Sequence, residues 1–340
     1  MLSVGNGRVK YNIINVNKSS IWSKADRVVL RGMDSKDKEF ALLIIGNGKL
    51  ASSVAVCALL AGQRVTLVTE HKEDAIDRIS SHLSDLSRFN DKTLTQDLLE
   101  ITNFADCTAT GFTMGIGITG EYLSEKMSVI QQLEKKVDPA AAVAINTESI
   151  PLSILQKASD HPERLVGLNW VEPAHVTFFL ELIINAETNK KLADQLFEFA
   201  KIHWNKDPYL IYNNVSIRAR MLSGMIREAF YLVQNGYASI EDIDRACRND
   251  AGYYLPFAGN FRYMDLMGPY AYGLVMKDLN RELSKDAKIP PFVEEIIERG
   301  GLGMENNEGF YTYEDGDERL WNEISRMFSY QIQRIIKKNL

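Results

Sequence analysis

The segment from residue 41 to residue 62 constrains the fold of this 340-residue chain more than any other. It begins with the apolar run ALLIIG, continues with GNGKLA, and becomes an apolar helical stretch that ends at Gly62. A buried strand followed directly by Gly46-x-Gly48-x-x-Ala51 at the start of a helix is typical of the first βα unit of a dinucleotide-binding sheet. Gly46 permits the tight turn, Gly48 lets a pyrophosphate approach the backbone, and Ala51 allows close helix–strand packing.

The loop predicts a nicotinamide dinucleotide as the cofactor, because a helix N-terminus attracts the pyrophosphate. Glu70, at the end of the second strand RVTLVTE, is the candidate for binding the ribose hydroxyls of NAD. An exposed acid at the start of the next helix is the alternative interpretation of Glu70. Thr69, His71 and Lys72 would instead suit the 2′-phosphate of NADP, so the sequence favours NAD and leaves NADP open. A tight βα turn without any ligand is the alternative for the loop itself.

Strand-like and helical segments alternate after the loop. Further strands are predicted within residues 111–118, 141–146, 164–171 and 176–183, and helices near 73–88, 121–136, 151–158 and 188–205. This alternation predicts an α/β fold with a Rossmann-type, doubly wound and mostly parallel sheet.

The pattern changes after the strand-like segment YLIYN at 209–213. From residue 216 apolar residues recur at helical spacing, and SIEDIDRAC opens a helix with Ser239 as its N-cap. We therefore predict an N-terminal extension at residues 1–38, whose role the sequence does not indicate. An NAD(P)-binding Rossmann domain follows at 39–205, and an all-α C-terminal domain for substrate binding and dimerisation at 206–340.

Composition excludes several other classes of protein. The net charge of −6 is spread along the chain, and no dense basic block suggests a nucleic-acid partner. We expect no membrane association, because no apolar run reaches the length of a membrane span. Three widely spaced cysteines lack the spacing of metal ligands, so we predict no metal site and reduced thiols, which favours a cytoplasmic location.

Residues 164–183, RLVGLNWVEPAHVTFFLELI, are the candidate site for chemistry. Two apolar runs flank a proline, and polar residues collect at the break between them. Strand ends are where open α/β sheets bind their ligands. The junction Asn169–Pro173 nevertheless lacks a histidine, the residue type most used for proton transfer near neutral pH.

Several ordered segments make the chain resemble the 3-hydroxyacyl-CoA dehydrogenases, in particular the short bacterial 3-hydroxybutyryl-CoA type. The resemblance covers residues 40–315 and rests on the glycine loop, EYLSEK at 121–126, NTES at 146–149, GLNWVEP at 167–173, LE at 180–181, REA at 227–229, EDID at 241–244, and PPF at 290–292 with GFYTY at 309–313. It implies a Rossmann domain that binds NAD and a helical domain through which a homodimer forms. It also implies oxidation of a 3-hydroxyacyl-CoA by hydride transfer.

The resemblance assigns roles to several retained residues. Glu181 matches the carboxylate that pairs with the family's catalytic histidine, and Asn146 matches the asparagine of an N-T-S-S segment. Glu121 and Lys126 match an acid and a base around the cofactor and the substrate entrance.

Four substrate-facing positions depart from the family pattern. Asn169 stands at the catalytic histidine, Glu148 at the N-T-S-S serine, Glu172 at the asparagine that follows the histidine, and Ala219 at an asparagine before Arg220. Asparagine forms hydrogen bonds but does not exchange a proton near pH 7. Loss of a general base alone typically costs roughly 10²–10⁴-fold in rate.

The sequence leaves open which residue, if any, replaces the missing histidine as the acid–base group. His175, in the turn after Pro173, would present an imidazole to the same pocket, or it is an exposed loop histidine. Glu148 and Glu172 would act as acid–base groups if buried, bind a cationic group, or be solvated loop acids. The chain is thus predicted to be an NAD(P)-dependent dehydrogenase for a small acyl substrate, carried as a thioester of CoA or a carrier protein or as the free acid. The alternative is a catalytically inactive dinucleotide-binding relative with a structural or regulatory role.

Overall fold

A computed structural model describes residues 40–90, 96–212 and 214–339 of the chain. The N-terminal extension predicted at residues 1–38 lies outside the described residues, and its role stays a prediction. In the described part, the first strand begins at Ala41, immediately before the glycine loop.

Eight strands form one sheet, which confirms the predicted mostly parallel α/β fold. The strands are β1 (Ala41–Gly46), β2 (Arg64–Val68), β3 (Leu99–Thr102), β4 (Phe112–Ile118), β5 (Val137–Ile145), β6 (Leu165–Asn169), β7 (Phe179–Ile183) and β8 (Asp207–Ile211). Their order is β3-β2-β1-β4-β5-β6-β7-β8. Every neighbouring pair is parallel except β6 and β7, which run antiparallel. The central strands are almost fully buried, as expected for a sheet covered on both faces.

Helices connect the strands, and further helices form most of the described chain after the sheet. Those within the sheet region are α1 (Gly48–Leu60), α2 (Lys72–Asn90), α3 (Leu123–Glu134), α4 (Leu152–Leu155) and α5 (Lys190–His203). Those after the sheet are α6 (Ile217–Gln234), α7 (Ile240–Asn249), α8 (Ala251–Met267), α9 (Pro269–Leu279), α10 (Pro291–Glu298) and α11 (Asp317–Asn339). The helical C-terminal part predicted from the sequence is confirmed.

Two strands differ from the sequence prediction. β3 was not predicted, because its four residues, LEIT, form a short edge strand whose partly exposed pattern is weak as a local signal. β8 overlaps the strand-like segment predicted at 209–213, but it pairs in parallel with β7 and so belongs to the sheet, beyond the domain boundary that we placed at residue 205. The sheet therefore extends to Ile211, and the helical part begins with α6.

Helix starts in the C-terminal part follow local sequence signals. The Ser216 hydroxyl accepts a hydrogen bond from the Ala219 N–H and caps α6. Ser239 and Asp242 form the reciprocal capping box predicted for α7. Within the described ranges, no helix combines the length and apolar character needed to cross a membrane.

Candidate functional site

The glycine loop lies where the parallel strands β1 and β4 end side by side. Gly46 is in register with Ile118, and a Cβ atom at Gly46 would lie 2.4 Å from the carbonyl oxygen of Ile118. The backbone of β4 therefore leaves no room for a side chain at position 46. Gly48 has φ +80° and open space around its Cα, which suits close approach of a ligand. Ala51 is buried in α1.

The N-terminus of α1 remains available to an anion. The side chain of Asn47, its N-cap residue, makes no hydrogen bond to the helix. Instead its Oδ1 accepts from the Thr69 hydroxyl at 2.6 Å and from the Glu70 N–H at 3.2 Å. The first turn of α1 thus directs N–H groups outward, as a pyrophosphate site requires. Glu70 is exposed two positions after the end of β2, so it stays available as the candidate acid for the ribose hydroxyls.

Asn146 and Lys126 tie the ends of β4 and β5 together. Asn146 Oδ1 accepts from the Thr119 N–H at 2.9 Å, and Asn146 Nδ2 donates to the Thr119 carbonyl at 2.9 Å. The ammonium group of Lys126, which is fully buried, donates to the Asn146 carbonyl at 2.6 Å and the Thr119 hydroxyl at 3.0 Å. Burial lowers the pKa of Lys126, against the opposing effect of Glu121. The side chains of Asn146 and Lys126 are thus occupied by hydrogen bonds within the protein, and these bonds hold the ends of β4 and β5 together.

Glu121 anchors the loop that follows β5. Its Oε1 accepts hydrogen bonds from the N–H groups of Glu148, Ser149 and Ile150 at 2.7–3.1 Å, and its Oε2 lies 3.0 Å from the Lys126 ammonium. Burial alone would raise the pKa of Glu121, but the bonds from Ser149, Ile150 and Lys126 hold it below its usual value. Glu121 is therefore ionised near neutral pH and fixes the path of residues 148–150.

Asn169 and Glu181 form a buried cross-strand pair. They face each other in the antiparallel register of β6 and β7, and Asn169 Nδ2 donates to Glu181 Oε2 at 2.8 Å. Asn169 Nδ2 also donates to the Thr147 carbonyl at 2.7 Å, and its Oδ1 accepts from the Thr147 N–H at 2.8 Å. Both amide hydrogens of Asn169 are thus used within the protein. The pair links β6, β7 and Thr147, the second residue after the end of β5.

Glu181 is fully buried and accepts several further hydrogen bonds. Its Oε1 receives the Tyr209 hydroxyl at 3.1 Å and the N–H groups of Ile217 and Arg218 at 2.9 and 3.3 Å. Burial, together with the charge of Glu181, raises the pKa of Tyr209, so its phenol stays protonated as the donor. Because Ile217 and Arg218 begin α6, Glu181 also fixes the junction between the sheet and the helical part.

Glu148 has a partner that the sequence did not indicate. The guanidinium group of Arg218, at the start of α6, forms an ion pair with the Glu148 carboxylate. Both side chains are about one-third exposed, with values of 32% and 40%. The pair spans from the loop after β5 to the helical part, next to the Asn169–Glu181 pair. Ala219 follows Arg218 and offers its N–H to the Ser216 cap.

His175 is not brought to the Asn169–Glu181 pair by the contacts that the structure describes. Its Nε2 lies 3.3 Å from the hydroxyl of Tyr330 on α11, and its ring meets that of His82 edge-on at 4.6 Å. Burial lowers the pKa of His175 to about 2, and the neighbouring His82, Lys206 and Arg326 act in the same direction. The imidazole is therefore neutral and a very weak base. The turn around Pro173 directs it toward the C-terminal helix.

Glu172 lies in a cleft between α1, α2 and α11, which we call the three-helix cleft. The cleft is lined by Lys49 of α1, Arg78 and His82 of α2, Glu172 itself, and Glu318 and Arg326 of α11. The Glu172 carboxylate is hydrogen-bonded by the Ser53 hydroxyl, and its other oxygen lies 3.7 Å from His82 Nε2. Burial raises the pKa of Glu172 to about 7, against smaller opposing effects of Ser53 and the cationic side chains.

The raised pKa of Glu172 predicts a pH-dependent stability. In the folded chain this carboxyl binds its proton more tightly than in the unfolded chain, so its stabilising contribution is full below about pH 4.5 and is lost as the pH rises through about 7. We expect the wild type to lose roughly 1–2 kcal/mol relative to E172Q over that interval, a value reduced for the partial exposure of the side chain. Urea unfolding at pH 4.5, 6 and 8 measures it, with E198Q as the control, because about half of the Glu198 side chain on α5 is exposed. Parallel pH profiles of wild type and E172Q would contradict the prediction.

Comparison with protein-family models identifies both parts of the chain. Residues 41–215 match the model of the 3-hydroxyacyl-CoA dehydrogenase NAD-binding domain, and residues 217–313 match that of the C-terminal domain of the same enzymes. The chain belongs to the 3-hydroxyacyl-CoA dehydrogenase family. The suspected resemblance is thereby confirmed, and so is NAD as the cofactor. Helix α11 lies beyond the matched residues.

Relatives in the family are distant in sequence. A 3-hydroxybutyryl-CoA dehydrogenase of Mycobacterium tuberculosis is 27% identical over 288 residues, which cover 79% of this chain and 97% of that protein. The human mitochondrial hydroxyacyl-coenzyme A dehydrogenase is 25% identical, over 79% of this chain and 90% of that protein. A 5-formyl-3-hydroxy-2-methylpyridine 4-carboxylate 5-dehydrogenase of Mesorhizobium japonicum is 27% identical over 57% of this chain, and the match spans 63% of that protein.

Solved structures agree with the fold. The crystal structure of a 5-formyl-3-hydroxy-2-methylpyridine 4-carboxylic acid 5-dehydrogenase, an NAD⁺-dependent dismutase, superposes with a TM-score of 0.78 at 23% identity. It covers 89% of this chain and all of that one. The structure of Mycobacterium tuberculosis FadB2 gives a TM-score of 0.65 at 25% identity, with 82% of this chain and all of that one covered.

The residues present at the glycine loop fit NAD. Gly46 admits no side chain, Gly48 leaves space beside the backbone, and the first turn of α1 is not capped by Asn47. These are the three features that a pyrophosphate site on a Rossmann fold needs. Among the described residues, no cluster of three or more histidine, cysteine or acidic side chains is arranged to hold a metal ion.

Sequence reasoning missed several residues that shape the site. Thr147, Tyr209 and Arg218 contact the Asn169–Glu181 pair or Glu148, and Ser53 and Arg326 surround Glu172. Thr147 lies in the NTES segment, but no pattern in the sequence pairs these residues with their partners, because they meet only in the folded chain. An arginine placed directly before the altered Ala219 was the one available signal for the partner of Glu148.

Proposed function

We propose that this protein is an NAD-dependent oxidoreductase that transfers a hydride between the nicotinamide and a 3-hydroxyacyl-type substrate. The observation that carries the proposal is the buried Asn169–Glu181 pair, which keeps the carboxylate that the family resemblance implies and lies at the same end of the sheet as the glycine loop. Family members named as 3-hydroxybutyryl-CoA dehydrogenases support an acyl thioester as the substrate, with CoA or a carrier protein as the carrier.

The proposed division of labour follows from the hydrogen bonds. NAD, when bound, accepts or supplies the hydride. Glu121 fixes the loop at residues 148–150, and Glu181 fixes the start of α6, so the two walls of the site have defined positions. Asn169 connects these walls through Thr147 and Glu181 and exchanges no proton. The Glu148–Arg218 pair closes one side and would set which substrate groups are accepted.

Homodimer formation through the helical part is included in the proposal. In the single chain, large apolar side chains of this part are widely exposed, among them Met221 at 59%, Phe261 at 83% and Tyr270 at 80%. Exposed apolar area of this kind is typical of a surface that another protein covers. A second copy of the chain is the partner that the family resemblance implies. Cytoplasmic location stays a prediction.

A catalytically inactive, dinucleotide-binding role is the second candidate. The observation that favours it is the saturation of Asn169, whose amide hydrogens both bind within the protein and leave none for a substrate oxygen. An inactive relative would keep the glycine loop to bind the dinucleotide and the buried Asn169–Glu181 pair for stability.

The two candidates differ in turnover. We expect NADH to bind the purified full-length protein more tightly than NADPH, as measured by nucleotide fluorescence titration. We also expect oxidation of NADH in the presence of acetoacetyl-CoA and reduction of NAD⁺ by 3-hydroxybutyryl-CoA, at rates roughly 10²–10⁴-fold below those of a histidine-containing relative if nothing replaces the base. Tight NADH binding without any turnover would favour the inactive role. Absence of binding by either dinucleotide would refute both.

A further inference from the structure

We propose that helices α6–α9 fold only against a second copy of this chain, so that the wall of the substrate site supplied by α6 exists only in the dimer. The binding of NAD by the glycine loop does not depend on this contact. The inference rests on the proposed oxidoreductase function, and it makes the proposed homodimer a condition for the folding of α6–α9 and for turnover.

Helices α6–α9 have no core of their own in the single chain. None of the residues in these four helices, all of which are described, is buried. By contrast, nine of the thirteen residues of α1 are buried. A helix in a folded domain buries one face against another element, and this packing supplies most of its stability in water. The single chain therefore lacks the contacts that would keep α6–α9 folded.

The sequence of α8 is typical of a helix that is enclosed by protein. Within AGYYLPFAGNFRYMDLM, only Asn260, Arg262 and Asp265 carry a charged or amide side chain. A helix that is apolar on all sides is normally buried. In the single chain, however, Phe261 and Leu266 of this helix are largely exposed. Another protein surface must therefore cover α8.

An apolar stripe on α6 begins at the substrate site. Ile217, Met221 and Met225 follow each other at four-residue spacing and so lie on one face of the helix, and each is at least half exposed. The N–H of Ile217 donates to Glu181, and the next residue, Arg218, forms the ion pair that closes one side of the site. A surface that covers the stripe therefore also holds this wall of the site in place.

A second copy of the chain is the occupant that fits these observations. A partner on which the folding of four helices depends must be present in equal amount whenever the chain is made, and a second copy meets this condition. Obligate homodimer interfaces are large and apolar, like a domain core cut in half. In a two-fold dimer both subunits contribute the same surface, so α6–α9 of one chain and of the other would cover each other. A transient partner or a lipid surface would leave the helices without a core each time it dissociated.

The dinucleotide site does not share this dependence on a partner. The glycine loop joins β1 to α1, and most residues of both elements are buried within the same chain. We therefore expect the same NADH affinity per chain in the monomer and in the dimer. The substrate site, in contrast, should lose the wall formed by α6 in the monomer.

The first test uses the full-length wild type. We expect sedimentation velocity to show a dimer at micromolar concentration. The urea midpoint of the helical circular dichroism should rise with protein concentration, because unfolding is then coupled to dissociation.

The second test replaces Phe261 with aspartate. At a surface that stays in contact with water this change would be nearly neutral. We expect F261D to be monomeric where wild type is dimeric and to lose roughly a third of the helical circular dichroism, since α6–α9 hold about that share of the described helical residues. Turnover of acetoacetyl-CoA should fall by at least about tenfold, while fluorescence titration shows unchanged NADH affinity. The matched control is I202D on α5, because Ile202 is 70% exposed and should tolerate the change.

Several results would overturn the inference. They are a monomeric wild type whose urea midpoint is independent of concentration, an F261D protein that stays dimeric, and an F261D monomer with wild-type helicity and turnover. Sedimentation of monomeric wild type with phosphatidylcholine vesicles would assign the surface to lipid instead. A dimer that binds NADH but turns over no substrate would refute the proposed function, while sedimentation and unfolding would still decide whether α6–α9 fold only in the dimer.

Discussion

Replacing Gly46 with alanine is expected to reduce NADH affinity by at least about 10–100-fold. The new Cβ atom would lie 2.4 Å from the Ile118 carbonyl oxygen and 2.8 Å from the Ile118 Cβ, so the end of β1 and the loop must move away from β4. Overpacking of this kind costs roughly 1–3 kcal/mol, and each 1.4 kcal/mol corresponds to about tenfold in affinity when the displaced backbone is the binding site. Fluorescence titration with NADH measures the change.

The control for this substitution is G62A. Gly62 also ends a regular element, with φ +74°, but a Cβ there meets nothing within 4 Å. We expect G62A to cost roughly 1–2 kcal/mol of folding stability through its left-handed backbone, with NADH affinity unchanged. Equal NADH affinities for G46A and wild type would show that the loop does not bind the dinucleotide in the expected way.

Replacing Glu181 with alanine is expected to destabilise the fold by roughly 3–5 kcal/mol. The change leaves the Asn169 amide, the Tyr209 hydroxyl and the N–H groups of Ile217 and Arg218 without their acceptor in a buried position. Each buried donor left without an acceptor costs about 1–3 kcal/mol before the structure relaxes. Removing one partner from a buried ion pair costs about 3–5 kcal/mol, which is the loss of stability expected for E181A. Chemical denaturation followed by circular dichroism gives the free energy of unfolding.

The loss of folding stability should be specific to the buried carboxylate of Glu181. E187A removes an exposed glutamate from the loop that follows β7, and it should stay within about 0.5 kcal/mol of wild type. E181Q keeps an acceptor oxygen but turns a donor toward the N–H groups, so an intermediate loss is expected. If E181A has the same free energy of unfolding as wild type, water replaces the carboxylate, and the Asn169–Glu181 pair does not stabilise the fold.

The local sequence was sufficient to predict the first strand, the glycine loop and the helix that follows it. The apolar run of β1, the glycines of the loop and Gly62 after α1 are adjacent in the chain, and each adopts the structure that its own chemistry favours. The same holds for the capped start of α7. β3 and the sheet position of β8 were not accessible in this way. Both are edge strands that form because a neighbouring strand offers hydrogen bonds, which a local pattern does not record.

Residue types at fixed spacing were enough to identify the family, the NAD loop and the absence of a histidine at position 169. What surrounds that position depends on how distant elements pack. It paired Glu148 with Arg218, directed His175 toward Tyr330 of α11, and placed Glu172 with Ser53 in the three-helix cleft. These partners lie 70, 155 and 119 positions apart in the chain. Their pKa values and roles follow from burial and proximity that arise only when distant elements pack together.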